Sequence, residues 1–181
     1  MNPLLIALAC LVGGYLIGAV SSARVVARIV NPEVDITKAA MVNPADGQAY
    51  ETPTVNATSV SLMLGSRYGM VAALLDILKV FIPTLLVRLL LKEQPYHLLV
   101  VLGGVIGNDW PVYYRFRGGT GISALLGGFL AAAPLLTLAS MLVAGIIGMA
   151  LQSGMVAMFG GLLLLIPVLA VAKHDWRYPV C

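Results

Sequence analysis

Long, nearly uncharged apolar runs decide what this chain can become. Leu4–Val30, Tyr68–Leu91, Tyr96–Gly107, Ile122–Ala133, Leu135–Leu151 and Met155–Ala172 succeed one another with short breaks. The first two and the last approach or exceed the ~20 residues that a helix needs to cross a bilayer. The middle three are short, and fit as tilted or partial spans buried among neighbours. With 60% hydrophobic and only 10% charged residues, no soluble core could hide so much apolar surface. The fold class expected is an all-α polytopic membrane protein, a bundle of about six to seven transmembrane helices, some of them short. Residues 1–181 read as a single integral membrane domain, with 31–66 as a long cytoplasmic loop of irregular structure.

The remaining composition narrows the partners. The net charge of +3 is spread over loop ends beside apolar segments, where basic residues set orientation and meet anionic lipid. Nucleic acid is therefore not an expected partner; membrane lipids and other membrane-protein subunits are. Cys10 and Cys181 indicate neither a disulfide nor a metal site. Met1–Val20 lacks the basic start of a signal peptide and reads as an uncleaved first transmembrane helix. Gly14 and Gly18, Gly103 and Gly107, Ala144 and Gly148, and Ala157 and Gly161 are spaced for close helix packing. Arg24, Arg28, Lys38 and Arg67 flank the first polar connection, and Arg115 and Arg117 sit in a second. Two spans lie between these connections, so they share a face, and the positive charge makes it cytoplasmic.

Three groups on that face could carry chemistry. Arg115, Arg117, Gly118, Gly119 and Gly121 combine planar guanidinium donors with backbone that can approach an anion closely. The same residues would also serve as a basic turn beside the membrane. Asp76 and Lys79, at i and i+3 on one helix face, can pair. Charges within a membrane helix invite a functional reading, and a self-neutralised structural pair fits equally. Asn56, Thr58 and Ser59, with Asn108 and Asp109, supply short polar groups at helix entrances, where N-capping is their usual work. His97 reads as interfacial, and His174 has no identifiable partner. No metal-ligand spacing, catalytic triad or dinucleotide fingerprint is present.

Taken in order, these positions resemble the bacterial acyl-phosphate:glycerol-3-phosphate acyltransferases, the PlsY family, from about Gly14 to Gly154. Gly14-Tyr-Leu-Ile-Gly18 is similar to the family's first helix, with Asp35-Ile-Thr-Lys38 after it. Asn56-Ala-Thr-Ser-Val60 resembles its Gly-Ala-Thr-Asn-Val, and Leu74-Leu-Asp-Ile-Leu-Lys79 its second helix. Gly107-Asn-Asp-Trp-Pro-Val-Tyr113 stands where the family has Gly-His-x-Phe-Pro-Val-Phe. Arg115-Phe-Arg-Gly-Gly-Thr-Gly121 stands where it has Lys-Phe-Lys-Gly-Gly-Lys-Gly. The resemblance implies a seven-helix enzyme of the bacterial inner membrane, without metal or organic cofactor. It would move an acyl group from acyl phosphate to glycerol 3-phosphate on the cytoplasmic side, making lysophosphatidic acid.

Departures from the family fall on the loops. Glu51-Thr-Pro-Thr54 replaces Gly-Ser-Gly-Asn, exchanging two glycines for an acid and a proline without an N–H. Asn108 replaces a histidine, Thr120 replaces a lysine, and the family's closing Arg-His and Asn-Ile motif has no match. Each buried charge-assisted contact contributes about 1.5–3 kcal/mol, so several losses together predict severely reduced turnover. The first functional expectation is thus a catalytically impaired member, serving as a structural or accessory subunit of a larger membrane complex. Its alternative is an active acyltransferase. In that case Arg115 and Arg117 clamp phosphate, the Gly118–Gly121 backbone binds oxygen, and Thr58, Ser59 and Lys79 position glycerol phosphate. A lipid-binding module is a third reading. Under any of them, Arg115, Arg117, Gly118, Gly119, Gly121, Thr58, Ser59, Asp76, Lys79 and Asn108 are the residues expected to meet substrate or lipid phosphate.

Overall fold

The structure is a computed structural model and describes residues 2–42, 49–52, 54–152, 160–161 and 163–164. Pro44, Pro53, Ala157, His174, Cys181, most of the apolar segment Met155–Ala172 and the tail 173–177 lie outside the described residues. The described part is helical, save for one short hairpin. Contacts divide the chain into two compact units, Met1–Ala132 and Ala133–Cys181.

The first unit begins with α1 (Pro3–Gly18) and α2 (Ser22–Val30). One unbroken segment is expected from hydropathy alone, but the chain breaks at Ala19–Ser21. Ser21 is extended there and its side chain accepts the N–H of Arg24 at 3.4 Å, starting a new helix. The connection expected to be irregular holds a turn of 3-10 helix (Ile36–Lys38) and paired strands β1 (Ala40–Val42) and β2 (Ala49–Glu51). Ala40 stands opposite Glu51 in their antiparallel register. It also holds α3 (Ala57–Leu64), which turns at Gly65 (φ 102°) into α4 (Ser66–Leu90). The 25 residues of α4 at ~1.5 Å each span about 38 Å, more than a hydrocarbon core of about 30 Å. Next come α5 (Tyr96–Asp109) and α6 (Ile122–Ala132).

The packing is inside-out relative to a water-soluble protein. Among the described residues, the largest fully buried side chains are no bigger than Val60, Val80, Thr84, Thr137, Pro111 and Ser59, and the core is built mainly from Ala, Gly and Val. Leu74, Leu78, Ile82 and Leu86 on α4 are exposed instead, as are Leu4 and Leu8 on α1. In a bilayer, lipid covers such side chains, and small residues let backbones approach where the hydrophobic effect no longer drives association. Gly14 and Gly18 of α1 lie against the backbones of Val100 and Gly104, while Gly103 and Gly107 of α5 lie against Leu11, Tyr15 and Ala19. A second cluster joins α2, α3 and α4 through Ala23, Val26, Ala27, Val60 and Ala72, with Ile36 and Val55 from the connections. Arg88 donates to the Ala131 carbonyl at 2.7 Å, tying α4 to α6.

The second unit contains α7 (Pro134–Ala150). Its buried Thr137 and Ser140 hydroxyls donate to the carbonyls of Ala133 (2.8 Å) and Thr137 (2.9 Å). Such bonds to the helix's own carbonyls satisfy hydroxyls in apolar surroundings.

Candidate functional site

The site starts from a charge that the fold surrounds. Asp76 and Lys79 lie one turn apart on α4 with side chains 8% and 11% exposed, and Nζ is 2.7 Å from Asp76 Oδ1. Nζ also donates to Asn108 Oδ1 on α5 (2.8 Å) and to the Val20 carbonyl (2.7 Å). Two hydrogen bonds and one ion pair thus surround the ammonium. The Val20 carbonyl is available because of the helix break: in an unbroken helix it would accept the N–H of Arg24, which here goes to Ser21. Lys79 is therefore the knot that joins α4, α5 and the α1–α2 junction.

Asn108 then carries the network into the glycine loop. Its backbone carbonyl accepts the N–H of Gly119 at 2.9 Å, and the Gly118 carbonyl accepts from Val55 at 2.9 Å. A Cβ on Gly118 would overlap the Asn108 carbonyl, and one on Gly119 would come within 2.9 Å of Asn108 Nδ2. Upstream, the Pro111 carbonyl accepts from both Tyr114 (3.1 Å) and Phe116 (3.0 Å). This tight turn holds Arg115 (φ 52°) and Phe116 (φ 60°) in the left-handed region, a conformation costing a non-glycine residue of order 1–3 kcal/mol. Gly121 (φ 63°) closes the loop with the Asp109 carboxylate against it. A Cβ there would sit 2.7 Å from Asp109 Oδ1 and 3.0 Å from both Oδ2 and Val105 Cγ1. Gly121→Ala should accordingly lower stability by about 1–3 kcal/mol, read as a fall in thermal midpoint in detergent.

The α3 entrance abuts this loop through Val55 and Gly118. The Asn56 side chain accepts from the backbone of Thr58 (2.9 Å) and Ser59 (3.1 Å). Ser59, wholly buried, donates its hydroxyl to the Thr54 carbonyl at 2.8 Å and completes the capping box. Thr58 is exposed, as are Arg115, Arg117 and Thr120. The ten expected residues thus form one connected patch with two kinds of member. Asp76, Lys79, Asn108 and Ser59 are engaged with the protein; Arg115, Arg117 and Thr58 face outward, over a backbone shaped by Gly118, Gly119 and Gly121.

Arg24, absent from the expected set, belongs here as well. Its Nη2 donates to the Arg117 carbonyl at 2.8 Å, and its guanidinium lies 4.4 Å from the centre of the Tyr114 ring. Its position one turn before Arg28 on a helix with an apolar opposite face was the available signal. Among the described residues, no three of His, Cys, Asp and Glu come together.

Comparison with known proteins decides the family. Residues 8–180 match the model of the glycerol-3-phosphate acyltransferase family. This chain belongs to it. A glycerol-3-phosphate acyltransferase of Anaeromyxobacter sp. is 30% identical over 184 residues, covering 99% of this chain and 84% of the relative. One from Aquifex aeolicus is 32% identical over 138 residues, covering 76% of this chain and 65% of the relative. In Legionella pneumophila the match is 32% over 121 residues, covering 65% of this chain and only 38% of the relative. The fold is similar to the crystal structure of PlsY, an integral membrane glycerol 3-phosphate acyltransferase. In the glycerol 3-phosphate form the TM-score is 0.74 at 30% identity, covering 96% of this chain and 79% of that one. In the lysophosphatidic acid form it is 0.72. The chain is an all-α, integral-membrane member of this acyltransferase family.

Proposed function

We propose that this chain transfers an acyl group from acyl phosphate to glycerol 3-phosphate, with its loops facing the cytoplasm of a bacterial inner membrane. A bond forms between the glycerol oxygen and the acyl carbon, the acyl–phosphate bond breaks, and the hydroxyl proton leaves with phosphate. Lysophosphatidic acid and inorganic phosphate are the products. One observation carries the reading: the glycine loop, the α3 entrance and the Lys79 network converge through Asn108 in a fold similar to a solved relative described in glycerol 3-phosphate and lysophosphatidic acid forms.

The assigned roles follow what each group has left to give. Arg115 and Arg117 face outward among the described residues without an ion pair and clamp phosphate oxygens. Gly118 and Gly119 let the loop close onto Asn108, and Thr58 offers its hydroxyl to the glycerol moiety. Asp76, Lys79, Asn108 and Ser59 are positioning residues, since their polar atoms are engaged. The expectation of an impaired accessory subunit rested on lost loop residues, and no feature of the fold favours it. Asn108, in place of a histidine, supplies an acceptor to Lys79 and another to Gly119. Arg24 brings a guanidinium to the loop in which Thr120 replaces a lysine.

Purified protein given acyl phosphate and labelled glycerol 3-phosphate should form lysophosphatidic acid with equimolar phosphate release. Arg117→Ala should lower kcat/KM roughly 10- to 100-fold, the equivalent of one charge-assisted contact. No product from folded wild-type protein, together with copurification in a stable larger complex, would restore the accessory reading.

A further inference from the structure

Helix α2 presents two faces at its exposed side. Arg24 and Arg28 lie one turn apart on the first. Val25 and Ile29, 39% and 78% exposed, lie on the adjacent one. Residues 31–37 fold back beside Arg28, held by the Asn31 side chain accepting from Glu33 N–H (3.1 Å) and by Asp35 accepting from Thr37 N–H (3.0 Å) and hydroxyl (2.6 Å). Between them is a cleft of about 410 Å³ lined by Arg24, Arg28, Glu33, Asp35, Thr37 and Tyr114, among others. Arg24 is fixed by Tyr114 and the Arg117 carbonyl, yet its Nη1 is buried with no hydrogen-bond acceptor among the described residues. Asp76–Lys79 is the one ion pair among the described residues, so none of these four charged groups is ion-paired to a described residue. The Thr37 hydrogen bonds hold the Asp35 carboxyl below the usual carboxylate range.

Two guanidiniums and two carboxylates in one cleft select against a simple anion or a simple cation, because each would meet like charge. A ligand carrying both signs satisfies the cleft. We propose that it holds the headgroup of a zwitterionic phospholipid, a phosphate ester bearing a primary ammonium. The phosphate engages Arg24 and Arg28, whose planar donors match its oxygens. The ammonium meets Glu33 and Asp35, and the acyl chains run along Val25 and Ile29. An amphipathic helix with basic and apolar faces side by side is built to sit at a membrane interface in this manner. This site shares Arg24 with the glycine loop but uses neither Arg115, Arg117 nor Thr58, so lipid retention is read separately from the transfer reaction.

The test is lipid retention. Purified protein in nanodiscs containing equal phosphatidylethanolamine and phosphatidylglycerol is released and analysed by native mass spectrometry. Phosphatidylethanolamine should be retained at least about fivefold over phosphatidylglycerol, as two weak exposed charge contacts would give. Glu33→Gln with Asp35→Asn should erase or reverse that preference while lipid still binds. Arg28→Gln, which leaves the Arg24 contact to the loop intact, should reduce retention of both lipids. Equal or better retention of phosphatidylglycerol by the wild type would overturn the proposal, as would an unchanged preference in the carboxylate variant. Displacement of the lipid by millimolar inorganic phosphate would show a free-phosphate site and overturn it too.

Discussion

Lys79→Met should cost the folded protein about 3–5 kcal/mol, the usual penalty for leaving one member of a buried ion pair alone. Asp76, buried on α4, would lose its counter-charge. The Val20 carbonyl and the Asn108 side chain would each lose their donor as well. Thermal or SDS-induced unfolding in detergent should show a large drop. The double variant Asp76→Leu with Lys79→Met should recover a substantial share of it, because both charges leave together. A single variant as stable as the wild type would mean that the Lys79 knot does no structural work.

Gly18→Val is expected to be comparably damaging, for a different reason. A Cβ at Gly18 would occupy the space of the Gly104 backbone. Backbone cannot rotate aside as a flexible side chain can, so the penalty should exceed the roughly 1–3 kcal/mol typical of overpacking. Separating α1 from α5 would also pull the Val20 carbonyl away from Lys79, so activity should fall further than the unfolded fraction explains. Gly13→Ala is the control, since nothing lies within 4 Å of its added methyl. Unfolding curves for the two variants that coincide would refute the interlocked α1–α5 packing.

These two sites mark what the sequence made legible. The Gly14/Gly18 and Gly103/Gly107 spacings announce close helix approach, because only backbone contact needs small residues every fourth position. Asp76 and Lys79 can be paired on paper, since i and i+3 share a helix face. The break at Ala19–Ser21 escapes a hydropathy average: Val20 is apolar, and its carbonyl matters rather than its side chain. Asn56 and Ser59 form a capping box without the usual Glu or Gln at the fourth position, so α3 hides inside an apparently irregular connection. Arg24 is visible as a charge that sets orientation, but its contact with the Arg117 carbonyl spans 93 positions and has no local signature. The substitution of Asn108 for a histidine reads as a loss until the structure shows both of its carbonyl groups in use.

The loop around Arg115 and Phe116 is set before any ligand arrives. Its turn is fastened by the doubly accepting Pro111 carbonyl and by Arg24, so its backbone freedom is surrendered during folding rather than on encounter. Capture of a phosphorylated molecule there should then be governed by how often it collides with the membrane rim, not by a slow rearrangement of the receiving segment.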